Sequence, residues 1–474
     1  MRKYLETTPD QDPSGKMAEF VVNLKYEDIP EEVIELAKHA LCDMMGSLIA
    51  GSTWECLPAV CETVKEFGGT PQSPVMIYGY MTSAPLAAFA NATMGRACDM
   101  GDVHIDAGHV TEWTAPALLA ALGLLDRPVS GKEFLTAYCA AAECGVRQQT
   151  CVGFNNYPAT IPGEAGGFVF SSLGVSKLLG ATKEEAWNAL GMGYSVHSLA
   201  EGQKMIEGGT SMARLQHGWA SFTGVMASVL AKKGATGPHG IYLGNSAGML
   251  RYIGRDEADP EILYEDLGKR WRYYEGLTFK PYASCKLTHS LITSMIELRK
   301  EESLDYHDIE AIKCIVPPES DILIQPSRWR PQEAADALFS VPYTTAHAAM
   351  HDSIFLEAFE ENELKDPEKL ELMDKIQVEI DPQIGHEGFG IYDRHILIVK
   401  MKDGTEYKKI TPFIKGHPKN PMTWEDTKKK VWSCVPYAAV KFPDEQYEKI
   451  IEMCEHFDEL EDVNEFVKLC VPQK

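Results

Sequence analysis

Apolar positions between residues 30 and 50 recur at helical spacing: Val33, Leu36, Ala37, Ala40, Leu41, Met44 and Leu48 share one stripe. Asp28 can cap this helix, Pro30 suits its first turn and Gly51 can end it. Residues 113–126 and 165–180 are apolar all round, which predicts fully buried helices. Ala, Gly and Ser are dense over the first 260 residues, so these helices are expected to pack closely. The pattern changes after about residue 270. Residues 309–317, 375–380 and 395–410 are strand-like, the last with an Asp403-Gly404 hairpin signal. Helical text lies between them, at 284–300 and 332–360. From Pro421 the chain turns helical again, with Thr423 ahead of Glu425 and Asp426 as a helix start and an amphipathic segment at 444–470. The expected fold is mainly α: a helical domain over 1–270, completed by 411–474, and an inserted α+β domain over 271–410.

Composition narrows the function. The 474 residues are 24% charged and 45% hydrophobic, which is globular. No run approaches the roughly 18 apolar residues of a membrane helix. The N-terminal MRKYLETTPDQDPSGK lacks an apolar core, so no secretory signal is expected and the protein is read as cytoplasmic. A net charge of -24 disfavours nucleic acid and anionic membranes as partners. It also means that an anionic substrate needs a local positive pocket. The twelve cysteines contain no Cys-x-x-Cys and read as buried reduced thiols. Nucleotide-binding and zincin motifs are absent.

Four clusters can carry chemistry. The first is Asp99, Asp102, His104, Asp106 and His109, with Gly101 and Gly108 marking a loop. A carboxylate beside an imidazole fixes its tautomer and suits acid–base work. The same residues can also bind a metal, at irregular spacing, or form a polar loop with no role. The second runs from Lys204 to His217. Arg214 and His217 lie a turn apart near a helix start, where cations oppose the dipole unless an anion binds; surface charge is the alternative. The third is Phe279-Lys280-Pro281-Tyr282 through Cys285 to His289, in which Lys280 can clamp a carboxylate. The fourth is Tyr343, His347, His351 and Asp352; the histidines have chelating i, i+4 spacing but read better as hydrogen-bonded helix residues.

Taken in order, the clusters resemble the MmgE/PrpD family, which includes 2-methylcitrate dehydratase, cis-aconitate decarboxylase and iminodisuccinate epimerase. The resemblance rests on SAPLAAFANATMGRACDMGD, HVTEWTAPALLAALGL, GGTSMARLQHGWASFTGVMASVLAKKGATGP, FKPYASCKLTH, FSVPYTTAHAAM and KGHPKNPMTWED, and spans nearly the whole chain. It implies a helical domain with an α+β lid, a homodimer, no metal or organic cofactor, and a cleft lined by basic and imidazole groups that hold a small carboxylic acid. Asp99 and His109 match the family's Asp and the His of its His-Pro pair, with Val110 in place of the proline. Lys280 matches the Lys of a Lys-Pro-Tyr segment, and Tyr343 a tyrosine of the lid. Three positions depart: Val103 stands for a Thr, Ile161 for a His and Ala213 for a Lys. Losing two cationic or donor groups predicts a substrate less anionic than citrate-like acids.

The resulting expectation is a cofactor-independent lyase or isomerase that removes a proton next to a carboxylate. His109 is the acid or base, oriented by Asp99 or Asp102. Lys280 and Arg214 hold carboxylate, and Tyr343 is a second proton donor. His104, His217, Tyr282 and Lys204 complete the substrate contacts, with Glu164 as a further candidate for the lost roles. Rival readings are an epimerase, an inactive binding protein on the same fold, and a metal hydrolase using His104, His109, His347 and His351.

Overall fold

Asp12 starts the helical part by capping α1 (Pro13–Asn23) through the Ser14 amide at 3.0 Å. The computed structural model describes residues 12–152, 166–196, 210–242, 248–252, 260–384 and 394–473. The first apolar stripe becomes α2 (Glu31–Gly51), buried almost continuously from Val33 onward. After α3 (Leu57–Phe67), Ser73–Pro74 (β1) and Met81–Thr82 (β2) form a two-strand ribbon. The body continues with α4 (Ala84–Arg96), α5 (Thr111–Ala121), α6 (Gly131–Val152), α7 (Gly167–Leu178), α8 (Lys183–Val196) and α9 (Met212–Lys232). Every residue of α5 is buried, as its all-round apolar text predicts.

Small residues let these helices meet backbone to backbone. α9 packs against α4, α7 and α8. A Cβ on Gly218 would lie 2.3 Å from the Thr93 hydroxyl on α4, and one on Gly224 would lie 2.3 Å from the Ser171 side chain on α7. Hydroxyls buried at these crossings find partners: Ser171 donates to the Ala220 carbonyl at 2.8 Å and Ser228 to that of Ser172 at 3.0 Å.

A short ribbon ties the loop after α4 to the chain entering the α/β part. Val103–His104 (β3) pairs antiparallel with Leu277–Thr278 (β4), Val103 opposite Thr278 and His104 opposite Leu277. Beyond it, Ile309–Val316 (β5), Ile376–Ile380 (β6), Ile396–Met401 (β7) and Glu406–Lys409 (β8) form one sheet in the order β6-β5-β7-β8. β5 and β6 are parallel and the other pairs antiparallel. α10 (His289–Glu302) and α11 (Val341–Met350) pack against each other, α10 also along β7 and β8 and α11 against β6. The helical text at 332–360 gives only α11 as a sustained helix. Ser340 caps it through the Tyr343 amide at 2.9 Å, Pro342 sits in its first turn, and it ends at His351 in extended backbone.

The chain then returns to the helical body. A Thr423–Asp426 capping box opens α12 (Trp424–Cys434), which packs on α2, as does α13 (Asp444–Glu455). Lys430 on α12 is buried, and its ammonium donates to Asp43 on α2 and to the Met100 carbonyl, both at 2.6 Å. All twelve cysteines are free thiols, and all but Cys56 and Cys285 are buried. Among the described residues no helix is long and apolar enough to cross a membrane.

Candidate active site

The loop between α4 and α5 is bent at Asp99, whose φ of 50° is left-handed, a conformation that aspartate tolerates better than most residues. The bend turns the Asp99 carboxylate back toward Arg96, the last residue of α4, and the two form a buried ion pair. The β3–β4 ribbon carries Lys280 to the same point. Its ammonium donates to the Asp99 carboxylate at 3.1 Å and to the Asp99 carbonyl at 2.7 Å. Burial pushes the Asp99 carboxyl up, but Arg96, Lys280 and Arg214 outweigh it and hold it at about 2. Asp99 is therefore a fixed anion that keeps two cations ordered inside the protein.

His109 faces this cluster from the far end of the loop. Its Nε2 lies 3.7 Å from Asp99, and its Nδ1 lies 3.2 Å from Glu112 in the first turn of α5. Burial, then Arg96, Lys280 and His217, push its imidazole well below the ordinary range, so it is neutral. His217 on α9 approaches from the other side. It is fully buried, stacks on Trp113 at 3.7 Å and sits 3.3 Å from the same Glu112 oxygen. Burial pushes the Glu112 carboxyl well up, with Arg96 and Lys280 opposing. Arg214 lies a turn before His217. It pairs with Glu55 at 3.1 Å and stands 5.5 Å over the Phe339 ring of the α/β part, while its Nε and Nη1 have no hydrogen-bond partner among the described residues.

The structure thus gathers Asp99, His109, Lys280, Arg214 and His217 around one buried point. Other expected site residues lie elsewhere. His104 has both ring nitrogens committed, accepting from the Asp106 amide at 3.0 Å and meeting the Arg272 carbonyl at 2.8 Å, so it fastens the loop. The Asp102 carboxylate accepts from the Thr111 amide at 3.1 Å and from the Thr111 hydroxyl, and so holds the start of α5, while the Asp102 backbone hydrogen-bonds the His109 imidazole. Burial raises its carboxyl to about 6. Tyr343, the expected second proton donor, lies inside the α/β part, its hydroxyl on the Ala358 carbonyl and 3.2 Å from Lys369. Tyr282 turns its hydroxyl to Thr293 on α10 at 3.2 Å. Val103 is taken up by β3, and Ala213 is buried in the first turn of α9. Lys204, Ile161 and Glu164 lie outside the described residues.

The histidines of the metal-hydrolase reading do not form one constellation. His347 and His351 close α11 with Glu363 nearby, and Asp352 pairs with Arg299. Glu363 already takes the Lys369 ammonium at 2.6 Å.

Arg96, Glu112 and Trp113 are site residues that the sequence reading passed over. Their signal is polarity out of place: Arg96 is the one charge in the small-residue text of α4, and Glu112 the one charge in α5. A charge in an otherwise buried helix needs a partner, which marks it for inspection.

Fold and site together define a two-part, mainly helical protein in which buried cations and imidazoles meet at the link between the helical body and the α/β part. The MmgE/PrpD N-terminal domain matches residues 15–261 and the MmgE/PrpD C-terminal domain residues 282–457. The chain belongs to the MmgE/PrpD family. Among curated proteins it is 24% identical to the cis-aconitate decarboxylase-like protein oryM of Aspergillus oryzae, over 90% of this chain and 91% of that protein. It is 24% identical to cis-aconitate decarboxylase of Aspergillus terreus, over 79% of this chain and 80% of that protein. The same identity to cis-aconitate decarboxylase of Homo sapiens covers 93% of this chain and 90% of that protein. These relatives place the chain in a family of lyase-type enzymes.

Proposed function

We propose that the protein is a cofactor-independent lyase acting on a small carboxylic acid through an enolate-like anion next to a carboxylate. The observation that carries this reading is the neutral imidazole of His109 beside Asp99, with the side-chain cations Lys280, Arg96 and Arg214 buried around it. Loss of a proton or of carbon dioxide next to a carboxylate leaves the same kind of anion. Fixed positive charge in a water-poor site makes it reachable. Lys280 and the unfilled donors of Arg214 hold substrate carboxylate, and His109 delivers or removes the proton. Decarboxylation, as in the named relatives, and dehydration both fit this arrangement. Ala213 at the start of α9 leaves one cation fewer than the resemblance implies, which supports a substrate less anionic than a citrate-like acid. A homodimer is supported by the exposed apolar side chains of Met212, Trp219, Met226 and Leu230 along α9.

The test is a thermal-shift and heavy-water exchange screen with cis-aconitate, methylcitrate, iminodisuccinate and malate-type acids. The expected result is a stabilising acid that loses carbon dioxide or water, or exchanges its alpha proton, with His109→Ala lowering turnover at least about 100-fold. Exchange with the carbon skeleton retained, and no new vinyl signal, would move the reading to an epimerase. No stabilisation and no exchange with any of them would overturn the choice of substrate class.

A further inference from the structure

Glu112 opens α5 with its side chain fully buried. One oxygen, Oε2, lies 3.2 Å from Nδ1 of His109 and 3.3 Å from Nδ1 of His217. Arg96 Nε stands 3.8 Å from the same atom. Gly101 closes over the other oxygen, where a Cβ would sit 2.0 Å away. Trp113 follows in sequence and holds the His217 ring in a stack with 17° between the planes. Two imidazoles from different elements thus turn the same kind of nitrogen to one buried carboxyl oxygen.

Groups at these distances titrate as a unit. An imidazolium is disfavoured, because Arg96 and Lys280 already surround His109 and the site is buried. Two low-energy arrangements remain. In one, Glu112 is a neutral acid that donates to Nδ1 of His109 and accepts from Nδ1 of His217. In the other, Glu112 is a carboxylate that accepts from both. They differ by one proton, and among the described residues Arg96, Lys280, Asp99, Asp102, His109 and His217 are charged and titratable groups that bear on the balance. At these distances neither imidazole yet makes a hydrogen bond to Glu112, a looseness that is common before substrate tightens a site.

We propose that Glu112 is the proton store behind His109, neutral in the resting protein, and that His217 steadies its carboxylate once the proton has left. The inference rests on the lyase reading and adds the route of the proton. As His109 works, its Nε2–H bond breaks and the proton goes to the substrate's carbanion or leaving group. Its Nδ1 takes the proton of Glu112, whose O–H bond breaks. His109 is neutral before and after, with its proton on the other nitrogen. The negative charge appears on Glu112, beside Arg96 and the Nδ1–H of His217. Running the steps backwards takes a proton from a carbon acid. Glu112 acts through His109 and is a positioning residue; contact with substrate stays with His109.

Infrared spectra of the full-length protein at pH 8 test this without substrate. A protonated-carboxyl carbonyl band that shifts in heavy water is expected in the wild type and is expected to be lost in Glu112→Gln. With a substrate in hand, Glu112→Gln should lower turnover about 100-fold and remove the alkaline limb of the pH profile. His217→Phe keeps a ring on Trp113 but removes the donor, so that limb should move to higher pH. A wild-type band in Glu112→Gln, or alkaline limbs unmoved in both variants, overturns the proposal. Should Glu112→Gln not fold, an unmoved limb in His217→Phe alone does so. Failure of the lyase reading looks different: the band is present, yet no acid is turned over.

Discussion

Lys280 shows how much one side chain holds at the residue scale. It bridges the Asp99 carboxylate and carbonyl, and so joins the loop after α4 to the chain beyond β4. Lys280→Ala leaves Asp99 with Arg96 but without its second cation. It should destabilise the protein by about 1–3 kcal/mol, read from urea unfolding, and weaken substrate binding more than a neutral surface change. Asp99, His109, Lys280, Arg214 and His217 were legible because chemistry-bearing residues crowd into short polar stretches. The partners of Tyr343 are not legible, since nothing in its own segment shows that Ala358 and Lys369 take its hydroxyl. Glu112 was hidden by its setting, because one acid at a helix start reads as an ordinary first-turn charge.

At the scale of elements, the position of α9 decides the site, since it carries both Arg214 and His217. Its close approach to α4 depends on Gly218: a Cβ there would meet the Thr93 hydroxyl at 2.3 Å and the Phe89 carbonyl at 2.7 Å. Gly218→Ala should therefore force the helices apart, costing about 1–3 kcal/mol in thermal unfolding and lowering activity, because His217 moves with the helix. The density of small residues announced close packing, and apolar periodicity announced α2, α5 and α7. The two-residue strands β3 and β4 carry no periodic signal, yet their pairing sets Lys280 against Asp99. The helical text at 332–360 was overread because capping and Pro342 confine the helix to α11, and the buried Ile354, Leu356 and Phe359 pack outside it.

At the scale of the whole molecule, burial of imidazoles sets the response to acid. Burial lowers His39 and His417 to about 4 and, with Lys369 and His351, lowers His347 to about 3. His109 and His289 are pushed down by burial in the same direction. A group depressed from 6.5 contributes stability that is present above pH 6.5 and lost as pH falls toward its folded value. Asp102, raised to about 6, works the other way, favouring the fold below pH 4 and losing that effect as pH rises through 6. Asp43, Glu112 and Glu143 are pushed up by burial and act in the same direction as Asp102. His104 and His239 join the lowered imidazoles, and these seven outnumber the four carboxyls, so the urea midpoint should fall between pH 6.5 and 4. Below pH 4, Asp99 adds a further loss, because its stabilising charge disappears as pH drops toward about 2.

The sequence by itself determined the mainly α character, the switch to strands after residue 270, the family resemblance and most of the groups that carry chemistry. These are local properties, written in periodicity, capping residues and short motifs. Only the tertiary structure decided which polar groups meet. Arg96, Glu112, His217 and Lys280 come from four separate segments, and the β3–β4 ribbon, the α4–α9 contact and the bend at Asp99 bring them together. Burial and neighbouring charge at that meeting point then set their titration: Asp99 is held anionic, His109 is pushed down to the neutral form and the Glu112 carboxyl is pushed well up. Desolvation and neighbouring charge act through space, and adjacency along the chain does not encode them.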